Sequence, residues 1–179
     1  MTDDLDEAEG PRQALLLLRH AKSSWPDGVA DHDRPLAPRG LRSAALVGRF
    51  LVGNDLVPDR VVCSTARRAV DTCAGVLGAV SVARPGFGEP PVTFDGRVYD
   101  DDVLGPAAEA LAVLPPSGRL LVVGHEPGLL RAVARLCGAE VSLPTAGLVW
   151  LEPSGRAGSA RLRLLVPPRL LDGFDAPVD

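Results

Sequence analysis

An unbroken run of four leucines at positions 15–18 ends abruptly in Arg19 and His20. A short apolar run bounded by polar residues predicts a strand that is buried on both faces of a sheet. Arginine and histidine cannot enter such a core unless they are paired, so they must lie where the strand ends. Ligands of open α/β sheets bind beyond the carboxyl ends of the strands. This stretch therefore predicts an α/β protein whose first strand delivers a fixed positive charge and a titratable nucleophile to a phosphate-binding site.

Length and composition are typical of one globular domain that does not bind nucleic acid. The chain has 179 residues and is 46% hydrophobic but only 4% aromatic, so its core must consist mainly of leucine, valine and alanine. The formal net charge of -4 comes from acidic and basic residues that are mixed along the chain. Because there is no basic face, we expect no nucleic-acid partner.

The cysteines and the N-terminal segment predict a soluble, cytoplasmic protein. Cys63, Cys73 and Cys137 are odd in number and lack metal-type spacing, so we expect buried, reduced thiols. Residues 1–10 are acidic and polar, unlike a signal peptide, and no segment approaches the ~20 apolar residues that span a bilayer. We therefore expect no membrane partner.

Strand and helix patterns alternate along most of the chain. The predicted strands are 13–19, 60–63, 92–94, 119–124, 147–151 and 160–166. The predicted helices are 38–53, 65–77, 103–114 and 127–136, and the predicted irregular segments are 20–37, 83–91 and 95–102. This alternation predicts a three-layer α/β/α fold with a mostly parallel central sheet. We expect residues 1–12 to be a disordered leader, 13–166 the domain and 167–179 a C-terminal tail.

Three predicted strands end in residues that can bind or attack an anion. The first strand ends in Arg19 and His20. The strand at 60–63 runs into a segment that contains Arg68, and the strand at 119–124 is followed by His125. Because the carboxyl ends of parallel strands meet at one edge of a sheet, we expect these four residues to converge. The planar guanidinium of arginine matches phosphate oxygens and stays charged, and the helix N-termini after the latter two strands would add N–H donors.

Four motifs follow one another between residues 14 and 150. They are Arg19-His20-Ala21, Ser64-Thr65-Ala66-Arg67-Arg68-Ala69-Val70-Asp71-Thr72, Gly124-His125-Glu126-Pro127 and Pro144-Thr145-Ala146-Gly147. The first three resemble the RHG/RHA, S-x-x-x-R-A-x-x-T and G-H-x-P elements of the histidine phosphatase superfamily. The strings LRHAKSSWPD and DHDRPLAPRG are similar to its SixA-type branch, the small phosphohistidine phosphatases, which the fourth motif also fits.

The resemblance implies a phosphoglycerate mutase-like fold in its minimal form, without a large helical insertion. It also implies that His20 is the nucleophile that takes the phosphoryl group, with no metal or cofactor. A neutral imidazole is a competent nucleophile near neutral pH, and surrounding positive charge stabilises the transferring oxygens. The residues expected to bind phosphate or substrate are Arg19, Arg68 and His125, which also take part in catalysis, together with Ser23 and Ala146.

A proton donor for the leaving group is less clearly marked in the sequence. Larger members of the superfamily supply a carboxylate from an insertion that the SixA-type branch generally lacks. The candidates here are Glu126, directly after His125, and Asp27, Asp31 and Asp33 in the first loop. An alkoxide needs a proton in order to leave, whereas imidazole is easier to expel, so a weak acid suits a phosphoramidate better than a sugar phosphate.

Several functions remain open on the sequence alone. The favoured substrate is phosphohistidine on a signalling or phosphotransfer protein, because a short first loop and the absent insertion predict a groove open to a protein surface. The alternatives are a small-molecule phosphomonoesterase with the same core and a non-catalytic module that binds a phosphorylated ligand. A cysteine phosphatase is disfavoured, because the C-x5-R spacing from Cys63 requires an arginine where Ala69 stands.

Other residues of the first loop and its neighbours have less specific expectations. We expect His32 to be exposed and Arg34 to pair with loop carboxylates. Trp25 and Tyr99 are each expected either at the rim of the site or in local packing. Ala37 stands where the family usually has a capping serine or threonine, so the helix that begins at 38 should lose a capping bond worth ~1 kcal/mol.

Overall fold

A six-stranded sheet forms the centre of the computed structural model, which describes residues 13–154, 156 and 158–171. The strands are β1 (Ala14–Arg19), β2 (Arg60–Cys63), β3 (Val92–Phe94), β4 (Arg119–Gly124), β5 (Leu148–Pro153) and β6 (Ala160–Val166). The helices are α1 (Pro38–Gly53), α2 (Arg67–Ala83), α3 (Gly96–Tyr99), α4 (Leu104–Ala112) and α5 (Gly128–Cys137). Short 3-10 helices are formed by Asp31–Asp33 and Pro168–Leu170.

The strand order is β3-β2-β4-β1-β5-β6, with the first four strands parallel to one another and the last two antiparallel to their neighbours. Near the end of β1, Leu18 pairs with Val123 on one side and with Leu148 on the other. The prediction of a mostly parallel sheet with a closing pair of strands is therefore confirmed. Because β1, β2 and β4 are parallel, their carboxyl ends lie along one edge.

Helices cover both faces of the sheet, as the three-layer prediction requires. Side chains alternate between the faces of a strand, so Leu16 and Leu18 pack with α1 and α2 while Leu15 and Leu17 pack with α4 and α5. All four leucines are buried. β1 is therefore apolar on both faces until Arg19, which is why the polar residues gather at its end.

Most predicted elements are correct within one or two residues at their ends, where boundaries are least well defined. Helix α2 differs more, because it begins at Arg67 and continues to Ala83 instead of stopping before Gly78. Val76 and Val80 are both buried, so the apolar face of α2 extends past this glycine. The segment 95–102 was expected to be irregular, yet α3 forms there because Asp95 caps it by accepting a hydrogen bond from the backbone N–H of Arg97 at 2.9 Å.

The first loop, residues 20–37, is tied closely to the start of α1. The backbone N–H of Ala37 donates to Lys22 O at 2.8 Å, and Ser23 forms an isolated bridge with Leu36. A Cβ atom at Gly40 would collide with the Lys22 carbonyl, so only glycine permits this close approach. The loop therefore lies against the beginning of the helix beside the end of β1.

At the C-terminal end, Leu171 is buried against the α1 and α2 side of the core, so at least the first part of the expected tail packs on the domain. The expected leader at 1–12 and the remainder of the tail at 172–179 lie outside the described residues.

Cys63 and Cys73 are buried as expected, but Cys137 is only half-buried because it lies at the end of α5. Among the helices in the described ranges, none combines the length and apolar character that a membrane crossing requires.

Candidate active site

His20 lies directly after β1 with one ring nitrogen fixed by the backbone. Its Nδ1 lies 2.8 Å from the carbonyl oxygen of Ala21, and since a carbonyl can only accept, Nδ1 carries the hydrogen. The neutral ring therefore keeps an unprotonated Nε2. Burial, together with the positive charges of Arg68 and Arg19, lowers the pKa of His20 to about 4. At neutral pH this imidazole is uncharged and has a free lone pair.

His125 follows β4, and its ring centroid lies 5.0 Å from that of His20. Its Nε2 is 2.8 Å from Ser64 Oγ, which also accepts a hydrogen bond from Ala66 N–H at 3.3 Å. The Ser64 hydroxyl can thus donate to Nε2, which leaves the hydrogen of His125 on Nδ1. Within the described residues, this buried Nδ1 has no hydrogen-bond partner. Burial and then the neighbouring His20 lower the pKa of His125 to about 3.

Arg19, the last residue of β1, is held by two groups from other parts of the chain. Its Nη1 donates to Leu143 O at 2.8 Å and lies 2.7 Å from Glu126 Oε2. The buried Nε has no hydrogen-bond partner among the residues that the structure describes. Glu126, which the sequence marks as a candidate proton donor, therefore forms an ion pair with Arg19 beside His125.

Arg68 lies in the first turn of α2 and is gripped by Asp31 of the first loop. Its Nη1 donates to the backbone oxygen of Asp31 at 2.6 Å, and its Nη2 lies 3.1 Å from Asp31 Oδ2. Thr72 joins this helix to the segment after His20, since its Oγ1 donates to Arg68 O at 2.6 Å and accepts from Ala21 N–H at 2.9 Å. The first loop thus fixes the guanidinium of Arg68 from one side, and Thr72 fixes the backbone of the same residue.

Asp31 makes contacts in three directions. Besides Arg68, its carboxylate accepts from Arg34 Nη1 at 2.8 Å and from the Tyr99 hydroxyl at 3.2 Å. The hydrogen bond from Arg34 and the charge of Arg68 lower the pKa of Asp31. A carboxyl group that stays ionised and paired is a poor proton donor, so the contacts of Asp31 suit it to hold Arg68. The expected pairing of Arg34 with a loop carboxylate is present.

A row of rings continues from His125 towards the surface. The ring of Tyr99 lies 5.6 Å from that of His125, and the ring of His32 lies 5.0 Å from that of Tyr99. His32 Nε2 also lies 3.1 Å from Thr65 Oγ1. The expectation that His32 is exposed was wrong, because these contacts leave it half-buried at the rim.

The other candidate site residues have different surroundings. Ser23 is buried and accepts a hydrogen bond from Arg34 Nη2, so its hydroxyl oxygen already has a structural partner. Ala146 is buried with a positive φ of 59°, and its N–H lies 3.1 Å from the backbone oxygens of both Arg19 and His20. It therefore fixes the backbone of the site and offers only a methyl side chain.

Asp27 and Asp33, the remaining carboxylate candidates, are both exposed. Asp27 lies in a turn of the first loop, and within the described part of the chain no hydrogen bond or ion pair joins it to His20 or His125. Asp33 lies 3.4 Å from Nδ1 of the rim residue His32. Among the described residues, no hydrogen bond or ion pair joins either aspartate directly to His20 or His125.

Sequence reasoning named the four residues of the candidate site but not the residues that hold them: it gave no role to Ser64 or Thr72 and considered Asp31 only as a proton donor. Ser64 and Thr72 are the first and last letters of the S-x-x-x-R-A-x-x-T motif, so the motif itself was a usable signal for both. For Asp31 the sequence offered only the composition of the loop. The contact between Asp31 and Arg68 joins residues 37 positions apart in the chain, and it depends on how the first loop folds back towards α2.

The chain is similar to a known protein family and to a mycobacterial protein. The model of the histidine phosphatase superfamily (branch 1) matches residues 15–89, which include His20 and Arg68. An uncharacterized protein of Mycobacterium tuberculosis is 38% identical over 153 residues, or 77% of this chain and 88% of that protein.

Solved structures with this fold include two proteins that bear the SixA name. One, from Nakamurella multipartitia and named after the phosphohistidine phosphatase SixA, is 30% identical with a TM-score of 0.70, covering 87% of this chain and 96% of that chain. The other is the protein histidine phosphatase SixA complexed with tungstate, which is 20% identical with a TM-score of 0.73 and covers 88% of this chain and 99% of that chain. At 20% identity, the similarity to the tungstate complex shows the fold alone.

Proposed function

The chain belongs to the histidine phosphatase superfamily, and on this basis we propose that it removes the phosphoryl group from phosphohistidine on a phosphotransfer or signalling protein, using His20 as the nucleophile. The observation that supports this most directly is the hydrogen bond from His20 Nδ1 to Ala21 O, since it leaves Nε2 unprotonated. The low pKa of His20, about 4, keeps that nitrogen uncharged at neutral pH.

The reaction proceeds in two displacements. The lone pair of His20 Nε2 forms a bond to phosphorus while the bond from phosphorus to the substrate nitrogen breaks and its electron pair stays on that nitrogen. Water then attacks the phosphorus, the bond to Nε2 breaks, and its electron pair returns to His20. The protons of the water leave with inorganic phosphate and solvent. His20 regains its starting form, with the hydrogen on Nδ1.

Three groups around His20 have donors left to bind phosphate oxygens. Arg19 has an unpartnered, buried Nε, and His125 has an unpartnered, buried Nδ1, among the described residues. Arg68 uses one N–H on each of two nitrogens for Asp31, and its remaining N–H groups stay available. Fixed donors in a buried site stabilise the charge on the transferring phosphoryl group without reorganisation during the reaction.

The leaving group favours phosphohistidine over a phosphate ester. A substrate imidazole that is protonated on its other nitrogen leaves as neutral imidazole and needs no further proton, whereas an alkoxide requires one. Two carboxylates of the site are already paired with arginines, Glu126 with Arg19 and Asp31 with Arg34 and Arg68. This arrangement offers little general acid and suits a phosphoramidate substrate.

A small phosphate ester is the second candidate substrate, and the position of Glu126 favours it. This carboxylate follows His125 and lies 2.7 Å from Arg19, so a substrate phosphate that binds Arg19 would come close to it. Released from that ion pair and protonated, Glu126 would donate to the departing oxygen. A cysteine nucleophile is not supported, because contact with Cys73 and burial raise the pKa of Cys63 and keep it a thiol.

Phosphate release from two kinds of substrate tests the proposal. The substrates are a histidine-phosphorylated phosphotransfer domain and a panel of phosphomonoesters, each offered to the wild type, to His20→Ala and to the matched control His32→Ala. We expect turnover of the phosphoprotein that falls by at least about 10³-fold in His20→Ala. His32→Ala, which changes the same residue type at the rim, should keep most of the activity.

Each other outcome points to a different function. Turnover of the esters alone would contradict the phosphohistidine substrate and make Glu126→Gln the next variant to measure. Binding of phosphate without turnover of any substrate would favour a non-catalytic module. Equal turnover in His20→Ala and the wild type would contradict the role of His20 altogether.

A further inference from the structure

The tip of the first loop, residues 25–30, is exposed along its whole length and is mostly apolar. We call these six residues the loop tip. Four of them are apolar: Trp25, Pro26, Val29 and Ala30. Trp25 is 71% exposed, although the chain contains only two tryptophans. An exposed cluster of this kind, unlike a single surface leucine, is typical of a contact surface for another macromolecule.

Contacts within the loop fix the loop tip beside the active site. The guanidinium of Arg34 stacks on the Trp25 ring at 3.2 Å from its centroid, while Arg34 itself is only 7% exposed. The same guanidinium donates to Asp31, whose other carboxylate oxygen lies 3.1 Å from Arg68. One face of Trp25 is thus fixed by a residue that belongs to the site, and the other face is open to solvent.

We propose that the loop tip is a docking surface for the protein that carries the phosphohistidine, with Trp25 contacting apolar side chains around that residue; this rests on the phosphatase function proposed above. When the phosphoryl group of a substrate is bound at His20, the substrate surface around that group comes close to the first loop. A protein has such a surface, whereas a small phosphorylated molecule does not.

The fixed ring of Trp25 makes it well suited to this contact. Tryptophan is enriched among the interface residues that contribute most to binding. A side chain that is already ordered loses little conformational freedom when a partner binds, and the stack on Arg34 supplies that order. The loop tip therefore adds affinity for a protein substrate without taking part in the chemistry.

Steady-state kinetics on two substrates with the same reacting bond test this docking surface. The substrates are a histidine-phosphorylated phosphotransfer domain and phosphoimidazole, and the variant is Trp25→Ala. We expect KM for the phosphoprotein to rise about 10-fold, as for loss of a central interface tryptophan. The kcat for both substrates and KM for phosphoimidazole should stay within about twofold. Trp25→Phe should restore part of the lost affinity.

A matched control separates docking from a general loss of surface apolar area. Val82 is 82% exposed near the end of α2, about 22 Å along the helix from its beginning at the site. We expect Val82→Ala to leave KM for both substrates unchanged.

The outcomes distinguish failure of the docking surface from failure of the phosphatase function. Equal changes for both substrates in Trp25→Ala would overturn docking, because the residue would then act through Arg34 on the site itself. An unchanged KM for both substrates in Trp25→Ala would also overturn docking. Docking would likewise be overturned if the wild type turned over phosphoimidazole but not the phosphoprotein. Absence of turnover of both substrates by the wild type would instead refute the phosphatase function and the docking surface with it.

Discussion

The floor of the active site and its first loop are built in opposite ways. The floor is made of Arg19 at the end of β1, of His20 and His125 directly after β1 and β4, and of Arg68 at the start of α2. The loop has no regular strand, and besides the backbone contacts at its base it is held by side-chain contacts centred on Asp31. We infer that the backbone topology positions the groups of the floor, while the loop holds one of them, Arg68, through Asp31.

Substitution of Arg68 tests how much the floor contributes to catalysis. We expect Arg68→Ala to lower kcat/KM for the phosphoprotein by about 10²–10³-fold, because a fixed donor to the transferring oxygens is lost. Arg68→Lys should recover only part of this, since an ammonium keeps the charge but lacks the fork that contacts Asp31 and phosphate together. Full activity in Arg68→Lys would show that geometry at this position does not matter.

The two buried histidines of the floor should also make the stability of the protein depend on pH. Unfolded histidines have the ordinary pKa of 6.5, whereas folded His20 and His125 resist protonation until about pH 4 and about pH 3. The unfolded state therefore binds more protons as the pH falls from about 6.5 towards 4, and the free energy of unfolding should decrease over that window by roughly 3 kcal/mol for each histidine.

Urea denaturation at several pH values between 7 and 4 measures this effect. His20→Gln and His125→Gln should each lose part of the pH dependence, because each removes one buried group that stays neutral. The same dependence on pH in both variants and in the wild type would contradict the assignment of these two histidines as buried and uncharged.

The loop is tested by a pair of aspartates that lie two positions apart. Asp31→Ala removes the carboxylate that contacts Arg68 and Arg34, so we expect kcat/KM for phosphoimidazole to fall about 10-fold, the effect of an interaction worth about 1.4 kcal/mol. Asp33→Ala, in the same turn, removes a carboxylate that lies 3.4 Å from His32 Nδ1 at the rim, and it should change kcat/KM less than twofold. Equal decreases of kcat/KM in the two variants would show that Asp31 acts as one more surface charge and does not position Arg68.

The smallest expected effect lies where the loop joins α1. Ala37 occupies the N-cap of this helix with an extended backbone and has no side chain that can accept a hydrogen bond. Ala37→Ser should stabilise the protein by about 1 kcal/mol and raise Tm by about 2–4 °C. Activity should not change. A lower Tm, measured by thermal denaturation, would mean that the new hydroxyl disturbs the hydrogen bond from Ala37 N–H to Lys22 O.

The difference between floor and loop also explains what the sequence predicts well. Arg19 and His20 end an apolar run whose burial is evident from composition, and the parallel arrangement follows from alternating strands and helices. These two facts suffice to bring His125 to the same edge of the sheet. The convergence of rings 5.0 Å apart is thus a consequence of local patterns plus one topological rule.

The loop contacts could not be predicted in the same way. Arg34 has three aspartates and one tryptophan within ten positions, and nothing local specifies which carboxylate it binds or that it stacks on Trp25. The half-burial of His32 depends on Tyr99, 67 positions away in the chain. The extension of α2 beyond Gly78 also needed tertiary packing, because the burial of Val80 outweighs the low helix propensity of glycine.

The position of the transferred phosphoryl group tests the central claim most directly. A single turnover of a histidine-phosphorylated phosphotransfer domain would be quenched in alkali, which preserves phosphohistidine, at a series of times, and the phosphorylated peptides located by mass spectrometry. We expect a transient phosphoryl group on His20 that rises as the substrate is consumed and decays as phosphate appears. Phosphorylation of another residue, or complete phosphate release with no phosphorylated His20 peptide at any time, would contradict the proposed mechanism.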